Sequence, residues 1–261
     1  MELLNTSFDL DQFFARLAES SYPLLMLDYD GTLAPFRPER DEAIPYSGVR
    51  ERLARLVASV RTRTVLVSGR AVDDLVPLLG LPQLPEIWGS HGAERRLPDG
   101  SREAVDLSPS IRTGLVQIEQ WAVRNNFDDS LERKPAALAF HWRKLPADSA
   151  ATLKQAVLAA WSETVGRFGL HLREFDGGLE VRPADTTKAI AIHSLLHATP
   201  ADTLAAYLGD DLTDEDAFGA MVDHGLSVLV RKEKRSTLAD LWLVPPADLL
   251  AFLDRWLEVA E

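Results

Sequence analysis

The sequence predicts an α/β fold: a parallel sheet with helices on both faces, interrupted by a smaller inserted α+β domain. Apolar strand-like runs alternate with amphipathic helical runs in the first third of the chain and again in the last third. Such alternation builds right-handed crossovers and therefore a parallel sheet. The stretch YPLLMLDY at 22–29 is a continuous apolar run up to Asp28, as in a strand covered on both faces. From about 96 to 183 the alternation stops, and strands without regular crossovers flank one long helix. The expected division is a core of 1–95 and 184–261 with an inserted domain of 96–183.

Taken in order, residues 8–18 have helical periodicity, with Asp9 or Asp11 near the start, and 22–29 is the first strand. Residues 49–60 form a second helix through Val49, Leu53, Leu56, Val57 and Val60. The β-branched run TVLVS at 64–68 is a strand ending at Gly69; 71–79 is helical and 87–91 a third strand. Within the insertion, runs at 136–142 and 178–181 read as strands around a helix at 149–168. The late pattern is a helix at 188–197, a strand at 204–208, a helix at 214–221, and strands at 226–230 and 241–244. An amphipathic helix at 248–259 closes the chain.

With 261 residues the chain can bury a sizeable core without metal or disulfide staples. It has no cysteine, which excludes disulfides, thiolate catalysis and cysteine zinc sites. The 28 basic and 40 acidic residues give a formal net charge of −12, which repels nucleic acid. A phosphate site in this chain must therefore rest on local cations, backbone N–H groups or a metal. The N-terminus lacks a basic segment followed by an apolar one, and every apolar run falls short of the ~20 residues that span a bilayer. The expectation is a cytoplasmic protein with no membrane or nucleic-acid partner.

Chemistry concentrates at the predicted strand ends. Asp28-Tyr29-Asp30-Gly31-Thr32 places two carboxylates at the carboxyl end of the first strand, where open α/β sheets bind ligands. Gly31 permits a sharp turn that brings backbone close to an anion; alone, the same residues also suit an ordinary Asp-rich turn. Ser68-Gly69-Arg70 follows the second strand, with a hydroxyl suited to phosphate oxygens. Lys188 stands near a helix start, where ammonium and helix dipole both favour an anion. The segment 209–216 (GDDLTDED) holds five acids in eight residues after a strand. Capping accounts for its later part, with Thr213 capping the next helix and Asp214, Glu215 and Asp216 in the first turn. A hard cation such as Mg²⁺, bound through oxygen, accounts better for Asp210 and Asp211.

Taken together, Asp-x-Asp-Gly-Thr, Ser-Gly, a helix-start Lys and Gly-Asp-x-x-x-Asp resemble the four ordered motifs of the haloacid dehalogenase (HAD) superfamily of phosphotransferases. The resemblance implies a HAD-like core in which Asp28 is the nucleophile and Asp30 the general acid and base. It implies Mg²⁺ held by Asp28, the Asp30 carbonyl and Asp210, with Asp214 a further ligand or a support. Phosphate oxygens fall to Gly31 and Thr32 N–H groups, Ser68 and Lys188.

The stretches LDYDGTLAPF, VSGR, GSHGAERR, ERKPAALAFHWR, GLEVRP and GDDLTDEDAF extend the similarity to the trehalose-6-phosphate phosphatase family, insertion included. The family resemblance implies a sugar-phosphate substrate, with Glu132, Lys134 and Glu180 gripping the sugar and His91, His141 and Arg143 lining the site. Trp142 and Ala189 depart from the family's usual Tyr and Gly. Two alternatives stay open: the same chemistry on sucrose 6-phosphate, a glucosyl-phosphoglycerate or a similar phosphate, and a non-catalytic sugar-phosphate-binding protein.

Overall fold

The computed structural model describes residues 1–37, 39–175 and 177–260. Its chain forms two compact units, Met1–Glu103 with Thr187–Glu261, and Ala104–Thr186.

The larger unit begins with the short strand β1 (Glu2–Leu3) and helix α1 (Leu10–Glu19), whose first turn is capped by Asp9 accepting the Gln12 N–H at 2.9 Å. Strand β2 (Pro23–Leu27), α2 (Val49–Ala58), β3 (Arg63–Val67), α3 (Val72–Leu79) and β4 (Glu86–Gly89) follow. The short strands β5 (Glu94–Arg96) and β6 (Arg102–Ala104) extend the sheet edge. They carry this unit to Glu103, eight residues past the boundary expected at 95.

The inserted unit contains α4 (Pro109–Arg124), β7 (Leu131–Lys134), β8 (Ala137–His141), α5 (Ala147–Trp161), β9 (Leu170–Phe175) and β10 (Gly178–Pro183). Its four strands form one antiparallel sheet in the order β7-β8-β10-β9. The sequence patterns did not single out α4. Ser108 caps it, Pro109 occupies its first turn, and Gly114 lies where a Cβ would meet Phe168 at 2.6 Å. The helix expected at 149–168 ends at Trp161 and resumes only as a 3₁₀ turn at Val165–Phe168.

The chain then returns through α6 (Lys188–His197), β11 (Leu204–Gly209), α7 (Glu215–Ala220), β12 (Gly225–Val230), β13 (Leu241–Leu243) and α8 (Ala247–Ala260). The large sheet runs β1-β13-β12-β11-β2-β3-β4-β5-β6, parallel from β13 to β4. Helices cover both faces. Leu25 and Leu27 of β2 join the core containing Phe13, Leu53, Leu75, Phe252 and Trp256. Leu24 and Met26 join the opposite core containing Ile192, Leu195 and Phe218. A strand buried this way has no polar face, which is why 22–29 reads as continuous apolar sequence.

One topological feature positions the chemistry. From β2 the chain winds outward to β3 and β4 on one side, and later through β11, β12 and β13 on the other. β2 and β11 are neighbours across that reversal, the switch point at which open α/β sheets leave a crevice beyond the strand ends.

Candidate active site

Asp28 follows β2 and Asp210 follows β11, so both leave the sheet at the switch point. The Asp28 N–H donates to the Leu208 carbonyl at 2.8 Å, continuing the ladder one residue past β2. Asp28, Asp210 and Asp214 are all buried, and each offers a carboxylate oxygen within 4.8 Å of the others. Lys188, buried at the start of α6, donates to Asp28 Oδ1 at 2.7 Å and to Asp214 Oδ1 at 2.6 Å. The Thr32 hydroxyl donates to Asp28 Oδ2 at 3.1 Å. Both oxygens of Asp28 are therefore oriented.

Asp214 is saturated. Its Oδ1 accepts from Lys188 and from the buried Tyr207 hydroxyl, and its Oδ2 accepts the N–H groups of Asp210 and Asp211, each at 2.9 Å. A carboxylate has about four lone-pair positions, so these four donors make Asp214 the fixed point of the framework. Asp210 differs: among the described residues no donor bonds its carboxylate.

Charge shows what the cluster lacks. Burial, with Asp28 and Asp214 adding to it, pushes the Asp210 carboxyl well above its usual range. Burial likewise pushes Asp28 up to about 7 against the opposing pull of Lys188. Burial alone would lower the Lys188 ammonium, but Asp214 and Asp28 outweigh it and raise it. Three carboxylates face one ammonium, an imbalance that a hard divalent cation with oxygen ligands corrects. The cradle also fits such an ion. Gly31, at φ +83°, sits where a Cβ would lie 2.0 Å from Asp210 Oδ2, so only glycine lets this turn approach the carboxylate.

Several expected roles change in detail. The Gly31 N–H donates to the Ala34 carbonyl at 2.7 Å, so it is committed inside its own turn and not offered to phosphate. Asp211 is exposed and serves as a cap: it and Asp214 form a reciprocal capping box, a role the sequence pattern gave to Thr213. Ser68 is buried and its Oγ accepts the Arg70 N–H at 3.1 Å, which leaves its hydroxyl hydrogen to donate. Asp30 is held in a two-pronged ion pair with buried Arg70, both contacts 2.7 Å. His91 lies in the larger unit, its ring occupying the space above Gly69.

Arg70 and Tyr207 are the site residues the sequence motifs did not single out. Arg70 was legible as the third member of Ser-Gly-Arg, and Tyr207 as a polar tip near the end of an apolar strand.

The other expected sugar residues lie in the inserted unit. Alternation along β7, β8 and β10 sends Leu131, Phe140, Leu179 and Val181 into its apolar core. The opposite face carries Glu132, Lys134, His141, Glu180 and Arg182. Buried Glu180 accepts Lys134 Nζ at 2.6 Å and lies 3.5 Å from Arg182. Glu132 accepts His141 Nε2–H at 2.5 Å. Arg143, in the turn after β8, is exposed and packs over Gly177.

The profile of the family described as trehalose-phosphatase matches residues 26–242. The chain belongs to the trehalose-phosphatase family. The trehalose-phosphate phosphatase of Mycobacterium tuberculosis is 32% identical over 251 residues, covering 89% of this chain. The chain spans 61% of that relative's length. Among solved structures, Aspergillus fumigatus trehalose-6-phosphate phosphatase superposes with a TM-score of 0.68 at 27% identity, covering 96% of this chain and 98% of that one. A haloacid dehalogenase-like hydrolase from B. subtilis, at 14% identity and a TM-score of 0.61, covers 88% of this chain and 98% of its own. It shares the fold. The trehalose-phosphatase match runs through the insertion as well as the core, so both units belong to the family pattern.

Proposed function

We propose that this chain is a Mg²⁺-dependent phosphatase that hydrolyses trehalose 6-phosphate to trehalose and phosphate through an aspartyl phosphate on Asp28. The observation that carries the reading is the buried constellation of Asp28, Lys188, Asp214 and Asp210 at the switch point, in a chain of the trehalose-phosphatase family.

Asp28, the Asp30 carbonyl and Asp210 would hold Mg²⁺, which when bound offsets the negative charge shared by nucleophile and phosphoryl group. Thr32 and Lys188 fix the two oxygens of Asp28, so the attacking lone pair is aimed before substrate arrives. An Asp28 oxygen bonds to phosphorus while the bond from phosphorus to the sugar oxygen breaks. Once the pair with Arg70 opens, Asp30 takes up a proton from solvent and gives it to the departing sugar oxygen. Asp30 then takes a proton from water, whose oxygen attacks the phosphorus of the intermediate and releases Asp28 and inorganic phosphate. Lys188 and the Ser68 hydroxyl supply positive charge and a donor to the phosphoryl oxygens.

The polar face of the inserted sheet is the sugar-recognition surface in this scheme. Its ion-paired carboxylates and cations match the many hydroxyls of a disaccharide. Retention of both Asp28 and Asp30 favours an enzyme over a non-catalytic binder. A panel of sugar phosphates assayed with Mg²⁺ tests the reading: the highest kcat/KM is expected for trehalose 6-phosphate, and a clear preference for sucrose 6-phosphate or glucosyl-phosphoglycerate would move the assignment to that sugar.

A further inference from the structure

The polar face of the inserted sheet has one component that its ion pairs do not explain. Phe175 ends β9 directly opposite Gly178 in the register, and Gly178 in turn faces His141. A Cβ on Gly178 would lie 2.0 Å from the Phe175 ring, so glycine is what lets the ring lie across the strands. The ring meets the His141 imidazole edge-on, centroids 5.3 Å apart, and His141 is tied to Glu132. Phe175 nevertheless stays 36% exposed. Its apolar side is therefore presented on a face whose long side chains are otherwise polar or charged, among them Glu132, Lys134, Arg173, Glu180 and Arg182. The positions between those long side chains are small: Ala137, Ala139 and Gly178.

An exposed aromatic surface among hydroxyl-matching groups has a chemical complement. A pyranose ring carries hydroxyls around its rim and a patch of C–H bonds on its face, so it needs both polar partners and an apolar plane. We propose that Phe175 is a specificity-determining residue whose ring packs against the C–H face of a hexose, while the neighbouring carboxylates and cations bond its hydroxyls. The inference rests on the sugar-phosphate reading above.

Kinetics on the full chain with Mg²⁺ test it, comparing the preferred hexose phosphate with acetyl phosphate, which has no ring. The ratio of kcat/KM between the two substrates is expected to fall about tenfold in Phe175→Ala, mostly through KM for the sugar phosphate. Phe175→Tyr and Phe175→Trp should keep the ratio within about twofold of wild type, since either ring offers the same apolar plane. Phe175→Leu keeps bulk without an aromatic face and should resemble the Ala variant. An unchanged ratio in Phe175→Ala and Phe175→Leu overturns the inference, as does an equal loss on both substrates, which would assign the ring to folding. A wild type with no preference for hexose phosphates over acetyl phosphate overturns the sugar-phosphate reading and the inference with it. A wild-type preference that survives both substitutions overturns the inference alone.

Discussion

Both units collect ionisable groups, but they organise them differently. At the switch point the charges are deeply buried and locked by backbone: two N–H groups at the end of β11 hold Asp214, which holds Lys188, which holds Asp28. On the inserted sheet the groups sit on one face of strands and pair side chain to side chain, as in Lys134 with Glu180 and His141 with Glu132. The first arrangement fixes reacting atoms in place. The second can exchange one polar partner for another, as recognition of hydroxyls requires. On the proposed reading the core carries the chemical step and the inserted face selects the substrate.

The largest effect expected is at Asp28, the proposed nucleophile. Asp28→Asn should lower turnover by at least ~10⁴-fold with an unchanged circular dichroism spectrum; appreciable residual turnover would remove the covalent step. Chelation by EDTA should abolish activity reversibly, and adding Mg²⁺ to the chelated protein should raise its melting temperature, because an ion bound only by the folded state stabilises it. Activity that survives chelation would break the charge balance drawn for the core.

Next in size is Gly31→Ala. A side chain there costs about 1–2 kcal/mol for the left-handed conformation and collides with Asp210. A loss of roughly 10²-fold in kcat is expected, with weaker Mg²⁺ binding by calorimetry; wild-type metal affinity would mean that the turn is not part of the cradle. Glu180→Ala, which strips Lys134 and Arg182 of a partner, should cost trehalose 6-phosphate at least ~10-fold more in kcat/KM than acetyl phosphate. Equal losses would erase the division of labour between the units. The smallest effect belongs to Lys154→Ala. Its pair with Glu174 is exposed, at 39% and 55%, so thermal unfolding should change by less than ~1 kcal/mol.

Much of this organisation was legible in the chain. The run 22–29, the β-branched 64–68 and the acid-rich 209–216 located three strand ends, because a doubly covered strand has no polar position until it leaves the sheet. The fold and the four core motifs followed from those ends. The partners of each acid were harder. Asp211 and Asp214 are acids of one short segment, yet one caps a turn in solvent and the other is fully buried under four donors. Helix α4 left no pattern of its own because the positions it buries most deeply include Gly114 and Ala122, which carry little hydrophobic signal.

The sequence by itself indicated the sheet and its interruption, since periodicity is a local property that one chain records, and its motifs carried the resemblance that implies Asp28 as the nucleophile. Only the tertiary structure decided that Arg70 holds Asp30, that Tyr207 and Lys188 meet on Asp214, and that Phe175 lies across Gly178. Those contacts join residues of different elements, and register and packing bring them together. A linear pattern contains neither.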